Sequence, residues 1–208
     1  RVFASPHTLD LCRLRFGAAP ANATALEWGR PVEFGAARLT AFPAGHILGA
    51  AQLLVEWEGQ RLVYTGDIKV RDPLLGDPTV VVPCDHLIVE STFGLPIFQF
   101  LSAADAVRRI VAFANECLAD GETPVFLGYP LGRGQEITHT LCHAGIPVAV
   151  HGAIAKLIPG YERAGYEFPG WTPYEAGDLA GRALVIPPGF RTTVEASGAD
   201  VRVAYVSG

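Results

Sequence analysis

The chain has 208 residues, half of them apolar and 18% charged, with a net charge of −5. That balance excludes a disordered polymer and requires a substantial core, in one large domain or two small ones. It also gives no broad basic face for nucleic acid, while leaving room for a local basic groove. No secretory signal pattern and no apolar run of membrane-spanning length is visible, so a cytoplasmic protein without membrane attachment is the expectation.

Val2–Ala4 reads as a short strand. Ser5-Pro6 supplies an N-cap and a first-turn proline for a helix through about Phe16. Residues 17–30 are rich in Ala, Gly and Pro and read as loop. Pro31–Phe34 and Ala37–Phe42 read as strands. Gln52–Trp57 and Gln60–Tyr64 form a hairpin across the turn dipeptide Glu58-Gly59. Residues 71–83 read as loop, and the nearly continuous apolar run His86–Glu90 reads as a buried strand.

The pattern changes after residue 100. Ser102 caps a helix to about Ala119, with Ala106, Val107, Ile110, Val111, Ala114 and Leu118 at helical spacing. Strand Pro124–Leu127, helix Gly134–Ala144 and strand Pro147–Val150 follow. A helix over Ala153–Arg163 is interrupted at Pro159, and strands Ala183–Ile186 and Val201–Val206 come last. Alternating strands and helices imply a doubly wound, mostly parallel sheet. The expectation is an α/β protein of two architectures, with no internal repeat.

Few residues could carry chemistry. His46 lies between Gly45 and Gly49, where backbone freedom lets a loop present a side chain. Asp67 ends the apolar strand Leu62-Val-Tyr-Thr-Gly, a position that points an acid into a cleft or else serves a turn. Imidazole and carboxylate from neighbouring strand ends are half of a zinc hydrolase site. Glu90 ends the next apolar run and is either a residue that orients a catalytic His or a local cap. Gly128–Glu136 lies between strand and helix, as a phosphate cradle or a tight turn. It lacks the GK[ST] of a P-loop. His139 and His143 are four apart on a helix, the spacing of a metal pair, but without a third ligand they read as surface or core histidines. The four cysteines form no CxxC pair and read as reduced, mostly buried thiols.

Pro43-Ala-Gly-His46-Ile-Leu-Gly-Ala, Tyr64-Thr-Gly-Asp67, Glu90-Ser-Thr-Phe-Gly94 and Leu131-Gly-Arg-Gly-Gln-Glu136, in that order, resemble the signature of the metallo-β-lactamase-fold nucleases with a β-CASP insert. That group includes ribonuclease J, Artemis and the nuclease subunit of the mRNA cleavage and polyadenylation factor. Pro187-Pro-Gly189 fits a further family segment, and Ser5-Pro-His-Thr-Leu-Asp-Leu is most similar to the bacterial branch of ligase-associated DNA exonucleases and mRNA 3′-end processing factors. The resemblance implies a partial metallo-β-lactamase αββα sandwich over 1–95 and a β-CASP domain over 96–208.

It also implies roles. His46 matches a single-His zinc ligand, and Asp67 the carboxylate that bridges two zinc ions. Glu90 matches the acid that orients a catalytic His. Arg133 and Gln135 match residues lining the nucleic-acid cleft. The implied activity is two-zinc hydrolysis of phosphodiesters in DNA or RNA, and the implied partners are nucleic acid and a DNA ligase or helicase.

The family's HxHxDH motif and its two later His motifs are not found in the 208 residues. The chain starts at Arg1 and contains no Met, and it stops just after a strand. A piece of a longer protein is the expectation, metal-free or weakly metal-bound and inactive alone, from an active parent. Two other functions compete. One is a hydrolase of small esters or lactams on the same fold, against which the insert after Phe93 argues. The other is a nucleic-acid-binding or scaffold member that has lost its site.

Overall fold

The structure is a computed structural model that describes residues 1–175, 179–195 and 200–206. It divides into two compact units, Arg1–Gln99 and Phe100–Gly208.

The first unit opens with strand β1 (Val2–Ala4) and helix α1 (Pro6–Phe16). Ser5 caps the helix by accepting the Thr8 N–H, Pro6 sits in its first turn, and Gly17 closes it in the left-handed region at φ 82°. The stretch expected to be all loop contains strand β2 (Ala23–Ala25), which pairs in parallel with β1. Its Ala-Thr-Ala sequence carries no apolar alternation, so only the pairing reveals it.

The main sheet of this unit runs β3 (Val32–Phe34), β4 (Ala37–Pro43), β5 (Ala51–Trp57), β6 (Gln60–Tyr64) and β7 (His86–Ile88), in that spatial order. The first four are antiparallel neighbours and β7 joins β6 in parallel. Both turn residues between β5 and β6 have positive φ, Glu58 at 47° and Gly59 at 77°. That is the tight hairpin whose twist matches its strands. One expectation fails here. Strand β7 is exposed along its whole length, because among the described residues β6 is its only neighbour. A continuous apolar run signals burial only when something covers both faces.

The second unit is a sheet of five parallel strands in the order β10–β9–β11–β8–β12. The strands are β8 (Thr123–Leu127), β9 (Val148–Val150), β10 (Trp171–Pro173), β11 (Ala183–Ile186) and β12 (Val201–Tyr205). Every residue of β8, β9 and β11 is buried, as befits a parallel sheet covered on its faces. Helix α2 (Ala103–Ala119) is capped by Ser102, and helix α3 (Arg133–His143) follows β8.

The single helix expected over Ala153–Arg163 is two, α4 (Gly152–Ala155) and α5 (Ile158–Arg163). The break falls at Lys156-Leu157 because Pro159 occupies the first turn of α5, where its missing N–H costs nothing. A 3-10 turn (Pro188–Phe190) and helix α6 (Arg191–Glu195) follow β11. The chain leaves β8 toward β9 but leaves β11 toward β12, in opposite directions across the sheet. Right-handed crossovers then place those connections on opposite faces, which makes the unit doubly wound.

Candidate functional site

The loop between β4 and β5 carries His46. Its neighbours Ala44, Gly45, Leu48 and Gly49 are buried, and His46 alone is exposed. The loop is held on three sides. Ser5 and Thr8, at the start of α1, both donate side-chain hydrogen bonds to the Gly49 carbonyl, at 2.7 and 2.9 Å. The Lys69 N–H donates to the Ala44 carbonyl at 2.9 Å. At Gly76, a Cβ would stand 3.2 Å from the Leu48 backbone nitrogen, so only glycine lets this chain segment lie against the His46 loop without displacement. Gln52, 2% exposed, closes the base by donating to the carbonyls of Pro43 and Val80.

Asp67 follows β6 across Thr65-Gly66. Thr65 is buried, its N–H donating to the Ile88 carbonyl and its hydroxyl to that of Gly66. The result is a fixed strand end with an exposed acid. His46 Nε2 and Asp67 Oδ2 stand 3.9 Å apart, their side chains 45% and 78% exposed.

Glu90 lies behind this pair. Its Oε2 accepts the Thr92 N–H at 2.8 Å and its Oε1 accepts the Ile68 N–H at 3.4 Å, next to Asp67. The Thr92 backbone N–H and then its side chain hold the Glu90 carboxyl below the usual range. Burial opposes this, while the Ile68 N–H and the nearby His46 imidazole add to it. An ionised Glu90 thus braces the Asp67 loop.

His46 and Asp67 suit zinc in kind, since a neutral imidazole and an exposed carboxylate are ordinary zinc donors. In number they do not complete a site. Among the described residues no group of three His, Cys, Asp or Glu side chains is placed to hold a metal ion.

In the second unit, Arg133 and Gln135 open helix α3. The Arg133 guanidinium pairs with Glu136 at 2.5 Å, its side chain 23% exposed. Gln135 is fully buried. Its amide donates to the carbonyls of Pro130 and Ile154, and its oxygen accepts the Gly132 N–H. Both amide hydrogens are used inside the protein, so Gln135 shapes the β8–α3 loop and has no donor left for a ligand. At Gly134, a Cβ would stand 2.8 Å from Ile154, which shows how closely the helix start packs there.

Curated relatives match large parts of the chain. The chain is 36% identical over 151 residues to a probable DNA ligase of Opitutus terrae, covering 72% of this chain and 15% of that protein. It is 34% identical over 156 residues to cleavage and polyadenylation specificity factor subunit 3 of Dictyostelium discoideum, covering 66% of this chain and 19% of that one. It is 30% identical over 118 residues to a ribonuclease of Thermus thermophilus, covering 56% of this chain and 27% of that enzyme.

The chain belongs to the metallo-β-lactamase/β-CASP nuclease family. It spans between 15% and 27% of the length of these three relatives. No family model matches it. A crystal structure of a protein of unknown function from Enterococcus faecalis shares the fold, at a TM-score of 0.67 and 13% identity over 99% of this chain and 64% of that one.

The His139/His143 pair is a packing feature. The rings stack with centroids 3.9 Å apart, and Phe168 and Tyr166 meet His139 edge-on. Burial, with His143 adding to it, pushes the His139 imidazole down to about 4. All four cysteines are free, Cys117 and Cys142 buried and Cys12 and Cys84 half-buried. Burial raises the Cys142 thiol to about 11, which leaves it inert. No described helix is long and apolar enough to cross a membrane.

The parts that Thr8, Gln52, Gly76 and Thr79 play in building the His46 loop leave no signal in the sequence; Thr79 acts by donating its hydroxyl to the Lys69 carbonyl. Polar residues that hydrogen-bond a distant backbone leave no local periodicity to find.

Proposed function

We propose that the protein containing this chain is a nuclease that hydrolyses phosphodiester bonds of DNA or RNA with two zinc ions. On this reading residues 1–95 are metallo-β-lactamase domain and 96–208 β-CASP domain. His46 would hold zinc through its imidazole and Asp67 through its carboxylate, together with further ligands. The observation that carries the reading is the His46–Asp67 pair, presented from adjacent strand ends on a backbone braced by hydrogen bonds.

When bound, zinc would supply positive charge at the scissile phosphate and acidify a water. The chain's own residues do the positioning. Ser5 and Thr8 fix the His46 loop through Gly49. Glu90 is a positioning residue that holds the Asp67 loop through the Ile68 N–H, and it orients a catalytic His elsewhere in the protein. Gln135 sets the loop from which Arg133 approaches the nucleic acid. The relative named as a DNA ligase supports a DNA substrate and a ligase as partner, and those named for cleavage and polyadenylation and as a ribonuclease support RNA.

The test is hydrolysis by the full polypeptide of end-labelled single-stranded DNA, of RNA and of a chromogenic lactam. The expected result is cleavage of nucleic acid and not of the lactam, with His46→Ala and Asp67→Ala each at least about 100-fold slower. Lactam opening without strand cleavage, or wild-type rates in either variant, would overturn the proposal.

A further inference from the structure

The carboxyl end of the parallel sheet holds four aromatic side chains that nothing above uses. Tyr129 follows β8, whose last residue Leu127 is level with Ile186 of β11 and Tyr205 of β12. His151 follows β9, its N–H donating to the Val185 carbonyl of β11. Phe190 follows β11 in the 3-10 turn. Register therefore brings residues 129, 151, 190 and 205 to one end of four adjacent strands. At the usual strand spacing the row is about 14 Å long.

The rings form two pairs. The His151 and Phe190 centroids are 3.9 Å apart with the planes tilted by 52°. Tyr129 and Tyr205 share a side-chain hydrogen bond, which raises the Tyr205 phenol above its ordinary value. Each pair is fixed by its own contact or by the backbone. His151 Nδ1 accepts the Ala153 N–H, which locks the imidazole. The rings nevertheless remain open: Tyr129 is 61% exposed, Tyr205 54% and Phe190 42%. Large aromatic groups held rigid, side by side and in water suit a ligand with flat apolar faces.

Topology points to the same place. Strands β8 and β11 are neighbours whose onward connections run in opposite directions. The crevice beyond the carboxyl ends of such a strand pair is where open α/β sheets bind ligands. Tyr129 and Phe190 stand on its two sides.

We propose that this row is a stacking platform for unpaired bases of single-stranded nucleic acid, with His151–Phe190 and Tyr129–Tyr205 as its two places. The class of ligand rests on the nuclease reading above. The chemistry of the row favours bases over phosphates. Every base has a flat face for a ring, and the phenol and imidazole groups can hydrogen-bond a base edge or sugar. The cations closest in sequence to the row, Arg133 and Arg191, are paired with Glu136 and Glu195. A chain of net charge −5 gains little from phosphate contacts alone, so stacking must carry much of the binding. A base paired in a duplex keeps its faces covered, and the platform therefore selects unpaired strands.

The test uses the metal-free full polypeptide, so that nothing is cut, and fluorescence anisotropy of labelled strands of about 12 nucleotides. The probes are oligothymidylate, an abasic strand of equal length and a duplex. Oligothymidylate should bind more tightly than the other two. Tyr129→Ala and Phe190→Ala should each weaken it about tenfold, with abasic binding unchanged. Tyr129→Phe, which keeps the ring, should bind within about twofold of wild type. Wild-type circular dichroism in each variant guards against misfolding. Equal binding of oligothymidylate and abasic strand, or full affinity in both alanine variants, would overturn the platform. Adding zinc back separates the two proposals. Base-dependent binding without cleavage leaves the platform standing and sinks the nuclease reading, whereas cleavage without base preference does the reverse.

Discussion

His46 Nε2 and Asp67 Oδ2 stand 3.9 Å apart at the ends of neighbouring chain segments, both exposed, His46 on a loop whose other residues are buried or half-buried. Side chains so exposed add little to folding. His46→Ala and Asp67→Ala should each keep unfolding free energy within about 0.5 kcal/mol of wild type while removing zinc binding by the full polypeptide. Urea denaturation beside calorimetric zinc titration checks both halves.

The Gly45 backbone has φ 70°, and a Cβ there would collide with the Thr79 hydroxyl and the Lys69 carbonyl oxygen. Gly45→Ala combines a left-handed backbone with a steric clash and should cost about 3 kcal/mol in urea denaturation. Gly59→Ala, equally left-handed but with nothing near its Cβ, separates the two contributions.

Ser5 caps α1 and donates to the Gly49 carbonyl of the His46 loop. Ser5→Ala should destabilise the protein by about 1–2 kcal/mol. It should also speed hydrogen exchange at the Ala50 amide, which bonds the Ile47 carbonyl within that loop. An unchanged exchange rate would mean that Thr8 alone holds the loop.

Glu90→Gln keeps the shape of the side chain and removes its charge. The bond accepted from the Thr92 N–H at 2.8 Å is charge-assisted and should weaken. Hydrogen exchange at Thr92 and Ile68 should accelerate about tenfold, corresponding to about 1.4 kcal/mol of local stability.

His139 supplies a pH test. Its folded value of about 4 lies below the ordinary 6.5. Between those values the unfolded chain binds a proton that the native one does not, so acidification destabilises the fold across that window. Above pH 6.5 both states are neutral and the effect vanishes. Thermal unfolding should show this slope, His139→Gln should flatten it, and proton NMR should follow the imidazole titrating near pH 4.

Much of the architecture was legible because it rests on local chemistry. Ser5-Pro6 and Ser102 marked helix starts, Glu58-Gly59 marked a hairpin, and strand–helix alternation after residue 100 marked the parallel sheet. The His46 loop was legible through its flanking glycines. What was hidden depends on distance along the chain. Ser5 reaches Gly49 across 44 residues, and residues 129 and 205 meet only through parallel register. Burial was the other blind spot. Gln135 and the run His86–Glu90 have the residue types of exposed and buried positions respectively, and the fold reverses both. A glutamine can be buried when its amide is fully bonded, and a strand is covered only if it has neighbours.

Strand β7 has a practical consequence for handling these 208 residues. It presents Leu87 and Ile88 to solvent, with Val89 just beyond, all more than half exposed. Among the described residues nothing pairs with its outer margin, and such a margin is a template for adding another strand, whether from a folding partner or from a second molecule. At high concentration this stretch of polypeptide would polymerise margin to margin before its core gave way. A lysine in place of Ile88 would raise solubility without touching either compact core.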